Sequence, residues 1–129
     1  MFDIINKLQS KPNFRGQTGA TIELVEQAEK VLELKFADEY REYLFAFGIA
    51  SAHGHELTGI CPYPRLNVID VTIYERKRIP NVSLGFYVVE QANIDGIVVW
   101  QSNTGEVFQT APNMQTMKLC NSLCDYLDL

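Results

Sequence analysis

The chain has little of what most often does chemistry: three cysteines, Cys61, Cys120 and Cys124, and two histidines, His53 and His55. An odd cysteine count with no repeated spacing excludes the frame of a disulfide-rich secreted domain, and reduced thiols are the simplest reading. No apolar run is long enough to span a bilayer. The stretch Met1 to Leu8 has neither a basic region followed by a long apolar run nor a small-residue cleavage site, so a cytoplasmic location is expected. There is no nucleophile elbow, no phosphate-cradling Gly-x-x-x-x-Gly-Lys and no pair of histidines at helical spacing with a glutamate. The sequence marks of hydrolases and nucleotide enzymes are therefore missing. Repeats and low-complexity segments are absent too.

What is present is ordinary for a folded protein. A hydrophobic share of 47% and a charged share of 21% argue against disorder, and 129 residues suffice for one core. A single domain over residues 1–129 is expected. The formal net charge of -5 is unevenly placed: Glu23, Glu26, Glu29, Glu33, Asp38, Glu39 and Glu42 stand against Lys30, Lys35 and Arg41. Such an acidic pole repels nucleic acid and speeds encounter with basic partners, although a solvated helix face has the same composition. The short run Glu75 to Arg78 suits a helix carboxyl end and is too small to track phosphates.

Periodicity places the elements. Ile22, Val25, Ala28 and Leu32 recur at three- and four-residue steps behind Thr21, a natural amino cap. Tyr40, Tyr43, Leu44 and Phe47 form the apolar face of a second helix, with Asp38 and Glu39 in its first turn and Gly48 as its stop. A short helix from Phe2 to about Leu8 precedes a loop marked by Pro12, Gly16 and Gly19. A short strand is expected over Glu56 to Ile60, and Asn67 to Ile79 suits strand or helix by period alone. Gly85 to Glu90, Ile97 to Gln101 and Glu106 to Thr110 read as three strands of an antiparallel meander. Leu119, Leu123, Tyr126 and Leu127 give a closing helix, capped by Asn121 or a neighbour.

In order and spacing these landmarks resemble the SUKH superfamily, which includes yeast cell-wall-synthesis regulators and many bacterial immunity proteins. Glu29, Leu32, Phe36, Ala37 and Tyr40 are similar to its first motif, with Phe36-Ala37 where Leu-Pro is usual, Glu33 where a small residue is usual, and Phe47-Gly48-Ile49 where Asn-Gly is expected. Glu56-Leu57-Thr58-Gly59-Ile60 resembles the first-strand pattern. Asp70-Val71-Thr72 with Arg76 is similar to a Thr-x-x-x-Arg helix element, which favours a helix over Asn67 to Ile79. Gly105-Glu106-Val107-Phe108 looks like the family's hairpin, and Ser122-Leu123 with Tyr126-Leu127 like its closing motif.

The resemblance implies an α+β domain, an antiparallel sheet of about four strands with helices packed mainly on one side, which works by binding protein rather than by catalysis. Its bacterial members typically neutralise a cognate toxin domain, often a nuclease. It also implies that Glu29, Leu32, Tyr40, Gly59, Thr72, Trp100 and Gly105 hold the fold. The lone tryptophan ends an apolar strand, which suits the core first and a partner anchor second.

Against this, His53-Gly54-His55 with Cys61 offers three metal ligands but no fourth, so a polar turn is the better account and neither metal nor cofactor is expected. Cys120 and Cys124 would share one face of the closing helix as small buried hydrophobes. A nucleophile built from Cys61, a histidine and Asp70 is possible by convergence, but nothing marks it out, and no catalytic residue is assigned. The expected function is an immunity protein that sterically occludes a basic toxin domain, with no role for nucleic acid or membrane. Glu23, Glu26, Glu90, Asp95, Gln101 and Glu106 are the candidate partner contacts. The rivals are a general interaction module and a small cysteine- or metal-dependent enzyme.

Overall fold

A computed structural model describes residues 3–129 of the chain. Helix α1, Ile4–Gln9, starts at Asp3, whose carboxylate accepts the Asn6 N–H, and it buries Ile4 and Leu8. Phe2, where this helix was expected to begin, lies outside the described residues. Helix α2, Ile22–Leu32, is capped by the Thr21 hydroxyl, which accepts the Leu24 N–H at 3.3 Å. Val25, Ala28 and Leu32 form its buried stripe, whereas Ile22 is 51% exposed. At the α-helical pitch Ile22 falls about 90° round the cylinder from the middle of that stripe.

Helix α3, Asp38–Phe47, buries Tyr40, Tyr43, Leu44 and Phe47 and ends at Gly48 with φ of 69°. Glycine is required there and at Gly59 because the backbones touch. A Cβ on Gly48 would stand 2.6 Å from the Thr18 carbonyl oxygen, and one on Gly59 would stand 1.8 Å from that of Gly48. The exit of α3 is thus laced both to the segment before α2 and to the segment that follows.

A small antiparallel sheet is built from β1 (Arg15–Gly16), β2 (Ala50–Ala52) and β3 (His55–Glu56), in that order. His53 and Gly54, with φ of 50° and 82°, make the two-residue turn between β2 and β3. Strand β1 falls in a stretch that reads as loop. The strand expected over Glu56 to Ile60 is cut short after Glu56. Beyond it the Thr58 N–H bonds the Val89 carbonyl at 2.9 Å, and Gly59 forms a parallel bridge to Asn67. Helix α4, Val68–Arg78, begins at Asn67, whose side chain accepts the Ile69 N–H. Its buried residues, Val68, Val71, Thr72 and Glu75, recur at helical steps, which settles the ambiguous period.

The larger sheet runs β4 (Tyr87–Gln91), β5 (Val98–Gln101), β6 (Val107–Thr110), β7 (Met117–Cys120), all antiparallel. Strand β7 takes residues that by spacing should open the closing helix. Helix α5 is only Leu123–Tyr126, and its cap is Ser122, which accepts the Asp125 N–H at 3.0 Å. Cys120 therefore sits on a strand and Cys124 on a helix, not on one helical face.

Two apolar clusters sandwich this sheet. The main one joins Ile4, Leu8, Val25, Leu32, Tyr40, Tyr43, Leu44, Leu123 and Tyr126, from α1, α2, α3 and α5, to Tyr87, Val89, Val99 and Val107. The second is narrower: Val88, Val98 and Trp100 meet Val71 of α4 and Val82, with Ile79 and Phe86 beside them. The fold is α+β, with most helices on one side of the four-stranded sheet. The free edge of β4 is sealed by side chains. The Thr72 hydroxyl accepts the Val88 N–H at 3.1 Å, and the Thr58 hydroxyl donates to the Val88 carbonyl at 2.7 Å.

Candidate functional site

Four buried carboxylates act as interior anchors. Glu29, on the buried stripe of α2, accepts the Phe36 N–H at 2.9 Å and pairs with Arg41 at 3.1 Å, which fixes the α2–α3 connection. Glu39 accepts the Leu123 and Cys124 N–H groups at 2.7 and 2.9 Å, and the Gln101 amide at 2.9 Å. It thereby places a negative charge on the first turn of α5. Glu75 takes Arg78 on one oxygen and the Gln91 amide on the other, both at 2.7 Å. Glu90 binds His55 Nδ1 at 2.9 Å, the Glu56 N–H at 2.7 Å and the Tyr126 hydroxyl at 2.6 Å.

Two of the six candidate contacts are thereby corrected. Glu90 is 6% and Gln101 0% exposed, because each is bonded from several elements at once and faces inward. The seven-acid pole is smaller than composition suggests for the same reason, since Glu29 and Glu39 leave the surface. The other candidates reach the surface but are dispersed. Glu23 and Glu26 lie on α2, and Asp95 in the β4–β5 turn with φ of 54°. Glu106, half-buried at the other end of β5, pairs with Lys118 at 2.6 Å. The hydrogen bond from Lys118 holds the Glu106 carboxyl below its ordinary range.

The remaining motif residues are interior. Tyr40 meets the Thr58 hydroxyl at 2.9 Å, and its ring packs on Phe36 and Tyr87. Leu32 and Trp100 are buried, with the indole N–H donating to Thr110 at 2.9 Å. Gly105 offers its carbonyl to Gln101. Arg76 donates to the carbonyls of Leu32 and Leu84, which ties the end of α2 to the loop after α4.

The residues weighed for chemistry are placed as follows. His55 is held by Glu90 and stacks edge-on against Tyr126, and His53 is in the turn. Burial pushes the Cys61 thiol up, the opposite of what an activated nucleophile needs. Cys124 is pushed up to about 12 by burial and by Glu39. Among the described residues no group of three or more His, Cys, Asp or Glu side chains could hold a metal ion. Among them, too, no helix is long and apolar enough to cross a membrane.

What remains as functional surface is of two kinds. On α2 the crest carries Glu23, Gln27 and Lys30, flanked by Ile22 and Glu26 on one side and by Leu24 and Val31 on the other, all exposed. Ile22, Leu24 and Val31 are 51, 45 and 50% exposed. Exposed apolar side chains on one face, with carboxylates beside them as a polar rim, are suited to protein recognition. Beside this crest a depression of about 530 Å³ is lined by Glu26, Glu29, Lys30, Glu33, Leu34 and Lys35. The second surface lies where the cover over the other face of the sheet stops, between the end of α4 and the β6–β7 hairpin. Sequence reasoning missed it, since its walls converge only in the fold. The buried glutamates left a readable signal, however: Glu29, Glu39 and Glu75 stand four residues from Val25, Tyr43 and Val71 on the apolar stripes.

Comparison with known proteins gives one family. The SUKH_5 model, described as SMI1-KNR4 cell-wall, matches residues 1–117. No curated protein shows a significant match. The wider SUKH domain family includes toxin immunity proteins and regulators of this type, and its members are in general non-catalytic. The match ends where β7 begins, yet α5 is tied into the matched part through Glu39 and Glu90.

Proposed function

The chain belongs to the SMI1-KNR4 cell-wall family of SUKH domains, and on that premise we propose that it is an immunity protein which binds a basic toxin domain and occludes it. The outward face of α2 carries this reading, with Glu23 and Glu26 beside exposed Ile22, Leu24 and Val31. A nuclease domain presents a cationic groove to its substrate. A rigid acidic helix can fill such a groove, and complementary charge raises the association rate and fixes orientation. The apolar side chains then supply the buried area that charge alone does not. The interior role of the buried glutamates supports the same view, because it reserves them for holding α2 and α3 in place.

Affinity capture from a native lysate, with tagged wild-type protein and the Glu23→Lys/Glu26→Lys variant side by side, tests the proposal. The expected result is one basic toxin domain, recovered by the wild type at low salt and lost from the variant. Recovery of unrelated housekeeping proteins instead, equally by both, would move the protein to the regulatory branch of its family.

A further inference from the structure

The second surface has the opposite chemistry to the first. A cleft of about 650 Å³ opens between the segment that leaves α4 and the β6–β7 hairpin, with Gly96 at one end. It is preformed. On one wall Val82 is anchored in the second apolar cluster and the Ile79 N–H bonds the Glu75 carbonyl at 2.8 Å. Thr110 is buried and held by the Trp100 indole. On the other wall Pro112 presses against Gly96 so closely that a Cβ there would stand 2.8 Å from its ring.

Charge selects the occupant. The chain has 16 acidic residues against 11 basic ones, yet among the described residues no carboxylate lines this cleft, and the charged residue that does is Arg78, backed by its pair with Glu75. The groove on the far side of the same hairpin, of about 470 Å³, again lacks a carboxylate and contains Lys118, itself paired with Glu106. Arg78 is held through Nε by buried Glu75. Its terminal nitrogens make no hydrogen bond among the described residues, which leaves a fixed fork for an incoming carboxylate. Arg76 and Lys77 share its turn and outweigh the roughly half a negative charge at the carboxyl end of α4.

We infer that this cleft is a second docking surface, which takes an extended acidic peptide segment of a partner protein and grips a carboxylate with Arg78. Most of the walls are exposed, including Asn81, Pro112, Asn113 and Met114, so a small molecule would leave much of its surface wet. A peptide that belongs to a larger partner needs cover on one side only. Ile79, Val82, Pro112 and the 70% exposed, adaptable Met114 receive its apolar side chains, and Asn81 and Gln115 offer amides to its backbone. The site is independent of the α2 face, whose charge would repel the same segment.

The test is selection of a random phage-displayed peptide library against the full chain, followed by titration of the enriched peptides into isotope-labelled protein. Enrichment of Asp or Glu beside Leu, Met or Phe is expected, with amide shifts confined to residues 78–82, 96 and 110–116. Arg78→Gln, which keeps a hydrogen-bond donor beside Glu75, should weaken binding by about tenfold. Exposed Met114→Ser should weaken it by about threefold, and Glu23→Lys/Glu26→Lys should leave it within about twofold. No enrichment, enrichment of basic peptides, shifts elsewhere, or indifference to Arg78→Gln in a variant with an unchanged thermal melt would each overturn the assignment.

Discussion

Glu39 shows how much one side chain can hold here. Its carboxylate satisfies two backbone N–H groups at the start of α5 and an amide on β5, so that residues 39, 101 and 123 meet at one point. Glu39→Gln keeps the volume but turns an acceptor into a donor facing an N–H. A loss of about 2 kcal/mol is expected in urea unfolding, from charge-assisted bonds lost and a buried donor unpaired. A change below about 0.5 kcal/mol would mean that α5 does not depend on this anchor. The buried phenols set a pH limit on the fold. Burial pushes Tyr40, Tyr43 and Tyr87 well above the ordinary 10.0, and Tyr126 rises through burial and the nearby Glu90. The folded chain therefore keeps protons that the unfolded chain releases, so this stability is full below the unfolded value and is lost as pH climbs above about 10. Phenolate absorbance from these residues should appear together with loss of circular dichroism. Titration of all six tyrosines before any unfolding would contradict the burial of these four.

At the scale of elements, helix ends decide both stability and legibility. Helix α2 ends in Glu33, which takes the left-handed conformation with φ of 56°. Glu33→Gly should raise stability by about 0.5–1 kcal/mol, the relief of Cβ strain exceeding the added freedom of the unfolded chain. A lowered thermal midpoint would show that the Glu33 side chain does more than cap. Helices α2 and α3 were readable because each buries one stripe of a regular cylinder. The β7–α5 corner was not, because Leu119, Leu123, Tyr126 and Leu127 keep helical spacing across a real strand-to-helix break. That break is set by long-range events, Lys118 pairing beside Phe108 and Glu39 gripping Leu123. Glu90 and Gln101 misled for a similar reason. A polar residue in a strand reads as outward, and the partners that turn these two inward are 35 and 62 residues away. The arginine-lined cleft had no sequence signature, since its walls come from three separate segments.

At the scale of the whole molecule the net charge of -5 is divided between an acidic face on α2 and carboxylates dispersed over the rest of the surface. Glu23, Glu26, Glu33, Asp38 and Glu42 stay outside on α2 and the first half of α3, with further exposed carboxylates dispersed over the surface, while the end of α4 carries Arg76, Lys77 and Arg78 beside the apolar β6–β7 hairpin. The rigid interior between them, knit by buried glutamates and tyrosines, suits a scaffold that presents preformed faces rather than one that rearranges around a substrate. If the acidic face captures a basic domain, that binding must be steered by long-range charge. The decisive measurement is the association rate of the captured partner with the wild type and with Glu23→Lys/Glu26→Lys across a series of salt concentrations. Electrostatic capture requires the wild-type rate to fall by about tenfold from low to moderate ionic strength, and the variant to start slow and respond little. Equal rates for both proteins, flat with salt, would contradict it.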